Sequence, residues 1–182
     1  MSRKYKIRDQ EKLYFVSFAT INWIDLFIRE EYNEILLSSL RHCQNEKGLE
    51  VYAWCFMSSH LHLIIGTNNK PLQDILRDFK SFTSSQLKKE INSNPIESRK
   101  EWIKWMMERA GRKNSNNSDW QLWQQHNHPI ELSTNELMDQ KLNYVHENPV
   151  KAGFVSEPHH WRYSSAIDYS GGKGLLNIKF IS

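Results

Sequence analysis

At 182 residues, with 39% hydrophobic and 25% charged side chains, the chain has an ordinary globular composition and room for one proper core. No apolar run approaches the roughly 20 residues of a membrane-spanning helix, and the basic start Met1-Ser2-Arg3-Lys4-Tyr5-Lys6 is not followed by the apolar segment of a signal peptide. Two cysteines, Cys43 and Cys55, cannot build a disulfide framework, so a reducing cytoplasm is expected. The net charge of +3 is mild, but residues 77–113 hold ten Lys or Arg against five Asp or Glu. That local excess reads either as a solvated helical surface or as a track for phosphates.

In chain order, the β-prone run LYFVSFAT predicts a first strand over residues 13–20. Apolar residues at Ile28, Tyr32, Ile35, Leu36 and Leu40 have helical spacing and predict a helix over 25–41, ended by residues 45–48. LEVYAWCFM and HLHLIIGT then read as neighbouring antiparallel strands with Ser58-Ser59 at the bend. Pro71 opens a second helix whose stripe runs from Leu72 through Phe79 to Ile91. Ser98 and Glu101 have capping-box spacing and predict a short helix with Trp102, Trp105 and Met106 on one side. Residues 111–119 are a polar loop, and 120–132 an extended segment that Pro129 confines to an edge or bend. A second capping box, Ser133 with Glu136, opens the last long helix, whose buried stripe is Met138, Leu142 and Val145. The order β-α-β-β-α-(α)-β-α predicts an α+β fold, a ferredoxin-like antiparallel sheet with helices packed on it. One domain is expected over 1–182, with a core over about 13–165 and a C-terminal tail over 166–182.

Two groups of residues carry candidate chemistry. His60-Leu61-His62 lies on a predicted strand, so both imidazoles share one face while Leu61 anchors the other. A separation of roughly 6.5 Å between their Cα atoms, from about 3.3 Å per residue, lets both rings reach one cation. A second pair, His126 and His128, has a polar middle residue and is followed by Pro129, which favours a surface location; adjacent His159 and His160 do not share a strand face. On the last helix Tyr144 and Asn148 stand four residues apart on one flank, whereas His146 points elsewhere. Tyr144 reads as a packing tyrosine or a phenol facing a cleft. Asn148, before Pro149, reads as the N-cap of a new short turn or as a polar group turned to the same cleft as Tyr144.

Three stretches together resemble the REP-associated tyrosine transposases and their single-tyrosine HUH relatives. They are WCFMSSHLHLIIG (54–66), LWQQHNHPIEL (122–132) and LNYVHENPVKAGFV (142–155), the last followed by Trp161-Arg162-Tyr163-Ser164-Ser165. The resemblance spans nearly the whole chain, although Ser58-Ser59 stands where many relatives have Pro-Asn. It implies an enzyme that cuts and rejoins single-stranded or hairpin DNA through a 5′-phosphotyrosine. Tyr144 matches the nucleophile, His60 and His62 the ligands of a divalent metal (Mg or Mn), and Asn148 a third ligand. Trp123, Lys151 and Arg162 are expected to contact DNA, and a homodimer is an open expectation. The alternative implied is a domesticated, catalytically inactive hairpin-binding protein.

Overall fold

The computed structural model describes residues 7–115, 119–125 and 128–181. Its sheet has four antiparallel strands in the order β2-β3-β1-β4, from β1 (Tyr14–Ala19), β2 (Leu49–Phe56), β3 (His60–Thr67) and β4 (Ile130–Glu131). With α1 (Glu30–Lys47) between β1 and β2, and α2 (Leu72–Ser93) after β3, this is the expected ferredoxin-like arrangement. Strand alternation gives the sheet two different faces. Tyr14, Val16 and Phe18 of β1 and Leu61, Leu63 and Ile65 of β3 pack with the buried sides of α1 and α2 in the larger core. Phe15 and Ile64 face the other way, into a smaller cluster under α4 (Asn135–Lys151).

A bulge in β2 sets this division. Val51 pairs with Ile65 but Ala53 pairs with Ile64, so Tyr52 is an extra residue and the strand changes phase. Leu49 and Val51 therefore join Trp54 and Phe56 in the larger core, and Ala53, Cys55 and Met57 turn toward α4. Small Ala53 and Cys55 let the helix lie close to the sheet. The outer edge of β2 is covered by the chain's end. Phe56 N–H donates to the Tyr163 carbonyl, Ser165 N–H to that of Trp54, and Lys179 N–H to that of Val51. The short α5 (Ala166–Tyr169) adds a Tyr169 hydroxyl bond to the Tyr52 carbonyl.

Several boundaries differ from expectation. Helix α1 begins at Glu30, five residues late, because residues 21–23 form a 3₁₀ turn and Ile28 stays exposed. It continues to Lys47 and stops at Gly48, whose φ of 75° and close approach to Asn68 leave no room for a side chain. In α3 (Lys100–Arg112) Ile103 and Met107 are buried and Trp102 and Trp105 face outward; no Ser98 cap forms, and Glu97 instead accepts from the Arg99 N–H. The cap of α4 is Thr134, accepting from Leu137 N–H, rather than Ser133. Among its described residues the extended 120–132 segment pairs in two places. Residues 121–124 run beside the end of β1, with Ile21 N–H donating to the Leu122 carbonyl and Gln124 N–H to that of Ala19, before β4 re-forms the pairing. Both cysteines are free and buried. Among the described residues no helix is long and apolar enough to cross a membrane.

Candidate active site

His60 and His62 emerge from β3 on the α4 side of the sheet. Their cross-strand neighbours are small: Ala19 opposite His60, and Ser17 and Cys55 opposite His62. That leaves space for two imidazoles, whose ring centroids lie 4.8 Å apart at 73°. Helix α4 crosses above them. Val145 is buried against the sheet, and at 100° per residue the flank bearing Lys141, Tyr144 and Asn148 then overhangs the histidines. The Tyr144 ring stands 5.1 Å from the His62 ring and edge-on to Phe15 at 5.7 Å, yet it remains 40% exposed. The Asn148 side chain hydrogen-bonds His60. Four sequence-predicted residues therefore meet in one place.

Asn148 is not an N-cap. Helix α4 runs through Pro149 to Lys151, and Pro149 occupies its last turn, where Ala152 N–H still donates to the Asn148 carbonyl. The amide side chain is thus available to the cleft. His146, on the opposite flank, is buried with Nε2 2.8 Å from the Ser165 hydroxyl and its ring 5.0 Å from Tyr169. Burial pushes it down to about 4. It is a packing residue, as its helical position predicts.

His62 is only 4% exposed, covered by Phe15 and Tyr144. Burial, helped by the nearby charges of His60 and Lys141, holds it at about 3. His60 is also lowered by burial, against the bond from Asn148. Both rings are consequently neutral at pH 7, the form that offers a lone pair to a cation. Both ring nitrogens of His62 lack a hydrogen-bond partner among the described residues. A buried polar group left so costs on the order of 1–3 kcal/mol, which a coordinated ion would relieve. Two neutral imidazoles and an amide oxygen suit Mn, and suit Mg once phosphate oxygens and water complete its shell. The donor set therefore fits a divalent metal. Among the described residues no three His, Cys, Asp or Glu side chains gather as a metal cluster elsewhere.

Three neighbours of the site went unread in the sequence. Lys141 Nζ sits 5.5 Å from the centre of the Tyr144 ring; its position three residues before Tyr144 was the available signal. The Ser59 hydroxyl lies 3.2 Å from His60 Nδ1 and orients the ring, a job well known for groups behind a metal-binding histidine. Trp23 meets His60 edge-on at 5.1 Å.

The expected DNA contacts divide. Trp123 is 5% exposed, packed in the larger core on Phe27 and Phe18, with its indole N–H donating to the Thr83 hydroxyl. It has no face to offer a base, and that expectation is corrected. Lys151 is exposed one turn beyond Asn148. Arg162 is exposed but bonded to Glu30 at 2.8 Å and stacked over Tyr163. Much of the basic excess over 77–113 is neutralised: Arg77, Arg99, Lys104 and Arg112 each pair with a carboxylate. Burial pushes Lys80 down to about 8 while it donates to the Gln124 carbonyl. His126 and Asn127 lie outside the described residues, as does the basic start over 1–6; His128 adopts a positive φ of 41°. His159 and His160 are exposed on the 3₁₀ turn Pro158–His160.

Comparison with known proteins gives the family and the fold. Residues 14–107 match a family model described as "Transposase IS200 like". The structure of a REP-associated tyrosine transposase bound to a REP hairpin superposes with a TM-score of 0.67 at 15% identity, covering 100% of this chain and 96% of that one. At that identity the likeness is one of fold. A protein of Deinococcus radiodurans R1 assigned as a transposase gives a TM-score of 0.42 at 18% identity, covering 81% of this chain and 95% of that one. No curated protein matches.

Proposed function

Because the chain belongs to the IS200-like transposase family, we propose that it cuts and rejoins single-stranded, hairpin-forming DNA, with Tyr144 as nucleophile and His60, His62 and Asn148 as the holders of a divalent metal. The observation that carries this reading is an exposed phenol set edge-on, 5.1 Å from a buried imidazole whose nitrogens have no partner among the described residues. A hairpin substrate is supported by the REP-associated relative, solved with a REP hairpin. The whole chain acts as one transposase domain.

Tyr144 attacks the scissile phosphorus in line. A bond forms between its phenolic oxygen and phosphorus, the bond from phosphorus to the 3′ oxygen breaks, and the phenol proton is lost as the 3′ oxygen gains one. The products are a 5′-phosphotyrosine and a free 3′-hydroxyl. The reverse attack by a 3′-hydroxyl rejoins DNA without a nucleotide cofactor, because the phosphodiester energy is kept in the covalent link. When bound, the metal supplies Lewis-acid stabilisation of the charge on the phosphate. Lys141, three residues before the nucleophile, places a positive charge beside the developing phenolate and the phosphate. Ser59 holds the His60 ring in orientation, and Phe15 keeps water from one side of the site. Lys151 and Arg162 grip the backbone and carry no base specificity themselves.

The test is a covalent adduct. The protein is incubated with labelled hairpin DNA and Mn or Mg and then denatured in detergent. A DNA-linked band is expected, lost on chelation and in Tyr144→Phe, with peptide mapping to Tyr144. Tight hairpin binding with no adduct under either metal would favour the inactive binding protein, and cleavage surviving Tyr144→Phe would point to a water nucleophile.

A further inference from the structure

The proposed ligands are all neutral. Two imidazoles and an amide bring a divalent cation no negative charge, so its own charge stays uncompensated until phosphate arrives. The carboxylate whose charge is felt at His60 is that of Asp25: burial lowers the imidazole, and Asp25 acts with Asn148 against that shift. Asp25 is exposed and lies between β1 and α1, at the end of a turn built in a costly way. Asn22 and Trp23 both have φ of 54°, and a bulky aromatic in the left-handed region is an outlier. Strain fixed by its surroundings beside a reactive centre points to a function for the strained turn.

That path carries Asp25 back to the turn between β2 and β3. The Ser58 hydroxyl donates to Asp25 Oδ1 at 2.6 Å, a short bond of the charge-assisted kind. The serine pair is gripped from both sides: Phe27 N–H donates to the Ser58 carbonyl, and Thr20 N–H to that of Ser59. Met57 N–H closes the turn on the His60 carbonyl, and the Ser59 hydroxyl meets His60 Nδ1. Asp25 is itself held from behind, its backbone carbonyl accepting from Arg99 at 2.8 Å. The ordinary uses of an exposed aspartate do not account for this arrangement. It caps no long helix, because α1 starts at Glu30 with Arg29 before it. Arg99, the cation at its side, pairs with Glu97 instead of with the Asp25 carboxylate.

We infer that Asp25 is a positioning residue of the proposed metal site: its carboxylate supplies the negative charge that His60, His62 and Asn148 lack, and through Ser58 it fixes the turn that aims His60. With Nδ1 of His60 engaged by Ser59, Nε2 is the nitrogen left for the cation. A site so compensated loads its metal before DNA arrives, and the scissile phosphate meets an ion already in place. The inference rests on the reading of His60 and His62 as metal ligands, and its test needs neither DNA nor turnover.

Mn binding to the protein without DNA is followed by the loss of the free-ion signal in electron paramagnetic resonance. The wild type binds Mn in a manner that His62→Ala abolishes. Asp25→Asn keeps an acceptor for the Ser58 hydroxyl and removes the charge. It weakens Mn binding by about ten-fold, the lower end of what groups behind a metal ligand contribute, while the melting temperature stays within a few degrees. Asp25→Glu restores the charge and most of the affinity. Ser58→Ala keeps the charge, frees the turn and weakens binding by a smaller factor. Because Asp25 is exposed, dissolved ions screen it, so the gap between wild type and Asp25→Asn narrows from low to high salt; a purely structural defect would be the same in both. Equal affinity of Asp25→Asn and wild type, a loss that Asp25→Glu does not recover, or a loss indifferent to salt overturns the inference while His62-dependent binding stands. Absence of His62-dependent Mn binding sinks the metal site itself, and the role of Asp25 with it.

Discussion

The two faces of the sheet share the same strands and differ in what covers them. On one, α1 and α2 seal Tyr14, Val16, Phe18, Leu61, Leu63 and Ile65 into a closed core. Its lower margin is tied by Glu97, a carboxylate with no exposed side-chain surface that accepts from Arg29, Arg99 and the Tyr32 hydroxyl. On the other, α4 covers the sheet with Trp161 and Ile181 beside it, and along the helix flank the apolar packing gives way to His60, His62, Tyr144 and Asn148. The first face holds the fold together, although among the described residues the buried Trp54 indole nitrogen within it has no partner either. Among the described residues the second leaves both nitrogens of a buried imidazole without partners, a cost that the proposed metal would offset.

Adjacent residues of β3 give the strongest test of that division. His62→Ala should reduce metal-dependent adduct formation by about a thousand-fold, the scale of losing a principal electrostatic contributor to a transition state, while the melting temperature stays within a few degrees. Leu63→Ala, on the other face, should cost about 2–5 kcal/mol of stability through the cavity it leaves, with activity per folded molecule retained. Denaturant melts and adduct assays on both variants would break the comparison if the two phenotypes coincided.

Next in size is the Glu97 latch. Burial alone would raise this carboxyl, but hydrogen bonds from Arg99 and Arg29 outweigh it and hold it at about 2. Its contribution is therefore complete above the unfolded value near 4.3 and lost as pH falls toward 2. Glu97→Gln should destabilise by about 3 kcal/mol, as when one partner of a buried ion pair is removed, and should flatten the acid limb of the stability curve over that window.

The histidines predict a different pH window. His62 and His146, held by burial at about 3 and about 4, bind protons more readily when unfolded, where the ordinary value is near 6.5. Stability should be full above pH 6.5 and decline as pH falls through 4 and toward 3. Denaturant melts in chelator at intermediate pH should show proton uptake on unfolding, reduced in His146→Phe. A pH-independent stability between 6.5 and 4 would mean that neither ring is buried in its neutral form.

The smallest effect is at the surface. Lys151→Ala should lower the slope of log affinity against log salt by about one, uniformly across DNA sequences. Arg162, already bonded to Glu30, should contribute less. Trp123→Phe should cost stability, through the lost bond to Thr83, and leave the salt slope unchanged.

Most of the fold was legible because its signals are local. Alternation in HLHLIIGT puts both imidazoles on one face, and helical spacing puts Tyr144 beside Asn148. What escaped depends on contacts distant in the chain. The bulge at Tyr52 is set by pairing with β3 and by the helix that Ala53 and Cys55 must accommodate. Trp123 looks like a stacking platform until Phe27, Phe18 and Thr83 close around it. Pro149 reads as a helix start by its preferences, yet α4 runs through it to Lys151 and forgoes one backbone hydrogen bond there. Trp23 escaped because left-handed backbone at a tryptophan has no sequence signature.

The central claim is that a metal and a phenol meet on the open face of the sheet. Anomalous diffraction from crystals soaked in Mn tests it most directly. The account predicts one strong peak bonded to His60 and His62, with Asn148 as a further ligand and the Tyr144 hydroxyl facing it, absent in His62→Ala crystals. A peak elsewhere in wild-type crystals, with the His62 nitrogens still without a partner, would contradict it.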